Sequence, residues 1–336
     1  MKAPRKIKLT FWLFGLGGAA IFTALLIHQG ASQVVAAVAT AGWGLAAMVA
    51  YHLCAPIFLD AIAWGLLFPS RHRLPLRKLF LMRWISEAVS ALVPSAAVGG
   101  DIVRARLATL DGVPRAVSAA TVLVDMTLNL LAGAGYTLLG MVLLVGASGQ
   151  TRFVGPTLLA TAIGLGACAL FYFAQRLGMF RFIAVIVTRL ARAPEWQSLV
   201  ASGENLDRTI QTLYGRRLAV VASAGASILA FVGGAGEVWI AMRALGLNAL
   251  FLHALILHSM ALAVRSAAFV VPAGLGVQEG GYLFVGSLLG IPGEAAFALA
   301  LMARARELTL GVPGLIAWQF IESRLQWRTR AERAAQ

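Results

Sequence analysis

Charge is scarce in this chain, and acidic charge is scarcest. Asp, Glu, Lys and Arg together make up 12% of the 336 residues, and only 14 of them are acidic. A soluble fold of this length needs far more polar surface, which excludes a soluble globular domain. Cysteine is nearly absent. Cys54 and Cys168 lie in apolar runs without metal-ligand or redox spacing and read as packing residues. Histidine is sparse too: His52, His253 and His258 stand isolated, and the last two are five apart, off one helix face, so all three read as packed or interfacial. Walker loop, dinucleotide fingerprint and metal-ligand spacing are all missing, so neither enzymatic activity nor a metal or cofactor is expected.

What remains is apolar. Hydrophobic residues are 60% of the chain and the mean hydropathy is +0.81, the signature of an all-α polytopic membrane protein. Runs long enough to cross roughly 30 Å of hydrocarbon are 9–27, 39–68, 116–145, 154–174, 218–242 and 295–321. The first follows Lys2, Arg5, Lys6 and Lys8 and is longer than a signal-peptide core, so it reads as a retained span. The formal net charge of +14 does not point to nucleic acid, because the basic residues cluster between apolar spans. Under the positive-inside rule they place both termini on the cytoplasmic side of a bacterial inner membrane.

Two further apolar segments end at a repeated break. Pro94, Gly99, Gly100 and Asp101 mark the first, and Pro272, Gly274, Gly276 and Glu279 the second. Pro272 − Pro94, Glu279 − Asp101 and Arg265 − Glu87 all equal 178, as does the spacing of Gly112-Val113-Pro114 and Gly290-Ile291-Pro292. Tracing the spans makes the breaks re-entrant half-helix hairpins that enter from opposite faces, an inverted-topology repeat with about six full spans. The expected organisation is one integral membrane domain over 1–336. Its first unit is 39–148 with hairpin 79–111, and its second is 218–321 with hairpin 250–290. Between them, 175–217 reads as a cytoplasmic amphipathic insertion, drawn to headgroups or serving as a connecting loop.

Ionisable groups in hydrocarbon cost at least about 2.5–3.5 kcal/mol each, so they persist where they pair, face water or work. The candidates for substrate binding or gating are Glu87, Asp101, Arg104, Asp125, Arg265, Glu279, Arg304 and Glu307, with Arg306 beside them. Glu87 and Arg265 hold equivalent places with opposite charge, which predicts an ion pair across the repeat interface. Arg104 stands one turn from Asp101, and Arg304 one turn from Glu307, so local pairs are expected. Arg304 also has the fork that meets a lipid phosphate. Asp125 has no basic residue three or four positions away and needs a partner from another helix, water or a proton. Glu237, among Gly233, Gly234 and Gly236, reads as lying nearer a membrane face in a close-packing segment.

The stretch Pro94-Ser-Ala-Ala-Val-Gly99-Gly100-Asp101-Ile-Val-Arg104 resembles the Pro…Gly-Asp-x-x-Arg motif of the lysylphosphatidylglycerol synthase transmembrane-region (flippase-like) family. Pro272-Ala-Gly274-Leu-Gly276-Val-Gln-Glu279-Gly280 resembles that family's second motif, and the resemblance covers most of the chain. Gly276-Val-Gln-Glu279-Gly-Gly, with Arg304-Ala-Arg306-Glu307 and 311–319 after it, is similar to the hopanoid-biosynthesis-associated (HpnL-type) subgroup. The resemblance implies lipid translocation without a synthase domain. One departure stands out: where relatives often read Glu-Arg-x-x-Asp, this chain has Asp125-Met126-Thr-Leu-Asn129. The expected partners are membrane lipids, and the expected activity is translocation of an amphiphilic lipid, hopanoid, polyprenyl-derived or anionic. The alternatives are a scaffold for lipid-biosynthesis enzymes and a small-solute carrier.

Overall fold

The computed structural model describes residues 42–93, 99–148, 154–182, 197–248, 250–267 and 277–334. The run 9–27 and the break residues Pro94, Pro272, Gly274 and Gly276 lie outside them. Every regular element among the described residues is helical. In chain order they are α1 (Trp43–His52), a π-helical turn (Leu53–Ile57), α2 (Phe58–Leu67), α3 (Leu76–Leu92), α4 (Gly99–Leu110), α5 (Arg115–Ser148) and α6 (Val154–Arg176). Then follow α7 (Gln197–Gly215), α8 (Arg217–Ala244), α9 (Phe251–Ala267), α10 (Val277–Leu288) and α11 (Gly293–Ala334).

Among the described residues, three helical stretches are long and apolar enough to cross a membrane: Trp43–Leu67, Arg115–Ala147 and Arg217–Ala244. They match three of the runs read from hydropathy. Proline and glycine set the ends. Pro75, Pro114 and Pro292 each stand immediately before a helix, where a missing N–H costs nothing. Gly112 (φ 92°) and Gly290 (φ 71°) close α4 and α10 in the left-handed region that side chains disfavour. After each, the next amide reaches back five residues: Val113 to the Ala108 carbonyl at 3.2 Å, and Ile291 to the Gly286 carbonyl at 2.9 Å. That is a Schellman cap in both places.

The helices fall into two matching series. α4 and α10 have 12 residues each, and their first and last positions differ by 178 (277 − 99 and 288 − 110). α5 and α11 also start 178 apart (293 − 115), and α3 and α9 both have 17 residues. Packing follows the same scheme. α3 lies on α4 and α11, while α9 lies on α10 and α5, so each series lends its short hairpin to the long helix of the other. Where α4 meets α3, Gly100 is indispensable, because a methyl there would overlap the Ser86 carbonyl and the Ser90 hydroxyl.

Within the insertion, Phe182, one of the apolar residues that suggest surface helices, is exposed, and the helix that follows is packed on the bundle. α7 turns Ile210, Leu213 and Tyr214 into a cluster with Leu67, Val124 and Leu128, so its apolar face is covered by protein and not left for headgroups. Gln175, buried on α6, donates to Thr127 at 3.1 Å and accepts from Tyr214 at 2.8 Å, tying α6 and α7 to α5. Arg216 donates to the Leu67 carbonyl at 2.8 Å and so satisfies the end of α2. Residues 183–196 of the expected insertion lie outside the described part.

Candidate functional site

Between the two series lies a cavity of about 350 Å³, room for roughly ten waters at ~30 Å³ each. It is walled by the middle of the long helices and the short hairpin helices, and its lining is unusually charged for a chain so poor in charge. Asp60, Glu87, Asp101, Glu237 and Glu307 face Arg83, Arg265 and Arg306 there, with His52 and His258 among them. Five carboxylates against three guanidiniums leave an excess of negative charge inside a chain whose net charge is +14.

The charges are organised in three groups. In the first, Arg104 is 1% exposed and clamps Asp101 at 2.7 Å and Asp125 at 2.6 Å. Its guanidinium lies 5.1 Å from the Trp64 ring centre. Arg83 adds Asp60 at 2.8 Å and reaches Asp125 at 3.7 Å. The partner that Asp125 lacks along its own helix therefore comes from α4 and α3. In the second group, Arg304 meets Glu279 and Glu307, each at 3.0 Å, and Glu307 also takes Arg265 at 2.7 Å.

The third group joins the two series. His52, at the last position of α1, has Nδ1 2.6 Å from Glu237 of α8 and Nε2 2.8 Å from Glu87 of α3. Arg306 of α11 meets Glu237 at 2.8 Å and Glu87 at 3.3 Å, and its Nη1 lies 3.0 and 2.8 Å from the two ring nitrogens. Two residues of this quartet come from each series.

Three sequence expectations change. Glu87 and Arg265 do not meet among the described contacts. Arg306 and Glu307, adjacent on α11, stand between them and take one each. Arg304 is not held ready for a phosphate, since its two arms are spent on Glu279 and Glu307. His52 is no packing residue; it is buried in the central quartet beside Glu237. The glycines beside Glu237 do serve close approach, Gly234 against the His258 ring and Gly236 against the Tyr51 hydroxyl.

Of the eight candidates, Glu87, Asp101, Arg265 and Glu307 line the cavity, while Arg104, Asp125, Glu279 and Arg304 buttress it from behind. Gly99 and Gly100 open α4, placing Asp101 in its first turn, as Glu279 is in the first turn of α10. Sequence reasoning missed Arg83, although it stands four residues before Glu87 on the same helix face. It also missed His52, for which no local signal exists: its partners are 35, 185 and 254 residues away.

The helices that carry the two motifs, α4 and α10, open with Asp101 and Glu279 in their first turns, and both acids enter buried ion pairs. Residues 12–314 match the family described as lysylphosphatidylglycerol synthase TM region. The chain belongs to that family. No curated protein and no solved structure matches it. Family membership and the three apolar crossing helices make it a multi-pass membrane protein with a lipid-related role.

Proposed function

We propose that the protein is a lipid translocase of the bacterial inner membrane. In this reading the central cavity takes the headgroup while the tails stay in the bilayer. The observation that carries it is the charged cavity between two matching helix series. Buried charge is expensive in hydrocarbon, and a static fold has no need to surround an open space with five carboxylates, three guanidiniums and two histidines.

The length of α3 supports the re-entrant reading. α3 has both of its ends, Pro75 and Val93, within the described residues; at 1.5 Å per residue its 17 residues span about 25 Å, short of the roughly 30 Å a crossing needs. α6 and α11 then complete the crossings, both termini face the cytoplasm, and the two units are inverted. Neither activity of an enzyme nor a cofactor enters this scheme. The excess of carboxylates in the lining disfavours a bare anionic headgroup and favours one that brings a positive or hydrogen-bond-donating group. The motif likeness to the hopanoid-associated subgroup makes an amphiphilic hopanoid the first substrate to try.

The test is a flip assay in proteoliposomes, using phosphatidylethanolamine with a fluorescent tail and, in parallel, lipid profiling of a deletion strain. Glu87→Gln, Arg265→Gln and Glu279→Gln are each expected to slow flipping by about tenfold or more, equivalent to ~1.4 kcal/mol of barrier. Wild-type rates in all three would remove the cavity from the mechanism.

A further inference from the structure

Among the described residues, His52 has a carboxylate at each ring nitrogen and a guanidinium against the ring. Carboxylates accept only, so a ring with Glu237 at one nitrogen and Glu87 at the other uses both contacts only when both nitrogens carry protons. Arg306 Nη1 is nearly equidistant from both ring nitrogens, which places it over the ring face, where its positive charge opposes the ring's second proton. The groups facing the ring come from several elements: Glu87 on α3, Glu237 on α8 and Arg306 on α11. Asp60 on α2, Arg83 on α3, His258 on α9, Tyr282 on α10 and Arg265 and Glu307 on α9 and α11 line the same cavity.

We propose that His52 is a proton-binding site at the junction of the two helix series. Glu87 and Glu237 hold the ring doubly protonated, and the Arg306 cation over its face keeps that proton releasable. With the proton on, the quartet is neutral, two cations against two carboxylates. With it off, the quartet carries a net negative charge and the ring releases one carboxylate, which can then meet an incoming cationic or donor group. The position suits such a role, because His52 immediately precedes the π-helical turn Leu53–Ile57, a wide turn containing Pro56. Resting on the translocase reading, the proton becomes a second substrate, exchanged for the headgroup within one cavity.

The direct test needs no lipid substrate. Histidine-selective ¹⁵N labelling of the whole chain in lipid nanodiscs gives a pair of ring-nitrogen signals from each of the five histidines, and His52→Gln identifies the relevant pair. The wild-type ring is expected to be doubly protonated at neutral pH and to become neutral as pH rises. In Glu87→Gln and Glu237→Gln it should be neutral already at neutral pH, with the His72 and His253 signals, from rings that do not line the cavity, unmoved as a check on folding. A wild-type ring that stays singly protonated throughout, or an unchanged titration in both Gln variants, overturns the site. The coupling is read in proteoliposomes carrying the fluorescent phosphatidylethanolamine. Wild-type flipping should respond to an imposed pH gradient, up to about tenfold per pH unit for one proton, and His52→Gln should not respond. Flipping indifferent to the gradient overturns the coupling. If no lipid moves at all, the translocase reading fails, while the nitrogen titration still decides the proton site.

Discussion

At the scale of single residues, the molecule shows how little sequence separation says about electrostatic partnership in a membrane. Arg104 and Asp101 are three apart, as are Arg304 and Glu307, and both pairs were legible before any fold was known. The need of Asp125 for a distant partner was legible too, though not which one. His52 was illegible, since an isolated imidazole in an apolar run looks the same whether it packs or pairs. Arg104 is the most consequential of the buttressing residues. Replacing it leaves Asp101 and Asp125 without their cation, and Arg104→Gln is expected to destabilise the protein by about 3–5 kcal/mol. Thermal unfolding in detergent will show this as a large loss. Adding Asp125→Asn should recover part of it, because the stranded charge is then gone.

At the scale of elements, glycine and proline did most of the specifying. The repeated Gly-aliphatic-Pro step gave both Schellman turns and the start of both long helices in register, since each residue has a single steric role there. Gly112→Ala and Gly290→Ala should therefore cost similar amounts, about 1–2 kcal/mol each for forcing a side chain into the left-handed region. Equivalent shifts of the unfolding midpoint would report that equivalence, and markedly unequal ones would deny it. Gly100→Ala should be worse, as the clash separates α3 from α4 and the cavity wall moves with them. The role of α7 was harder to read. Its amphipathic pattern was visible, but the pattern is the same for a helix on a lipid surface and one laid on other helices; only the packing partner on α5 distinguishes them.

At the scale of the whole molecule, two matching helix series enclose a set of charges that does not match. The position equivalent to Glu87 is Arg265, and those equivalent to Arg304, Arg306 and Glu307 are Met126, Leu128 and Asn129. Backbone symmetry was written in glycine and proline spacing; the charge asymmetry was visible residue by residue but its geometry was not. The proposed inversion makes a plain prediction for labelling. In a Cys54→Ser, Cys168→Ser background, Arg115→Cys and Gly293→Cys, which open the two long helices 178 residues apart, should react with an impermeant thiol reagent from opposite faces. Reaction from the same face would rule out the inverted arrangement.

The π-helical turn at Leu53–Ile57 is a matter of phase. In an α-helix each residue advances about 100° around the axis, so one residue of surplus turns everything before it by that angle relative to everything after it. Tyr51 and His52 owe their bearing to that offset, while Asp60 and Trp64 keep theirs from the regular helix beyond. A chain shortened by one residue anywhere in the turn would keep its composition, its hydropathy and the length to cross a bilayer. It would also swing the imidazole away from both carboxylates. Such a deletion is invisible to every measure of how oily the span is, and it would be felt only as a misdirected side chain.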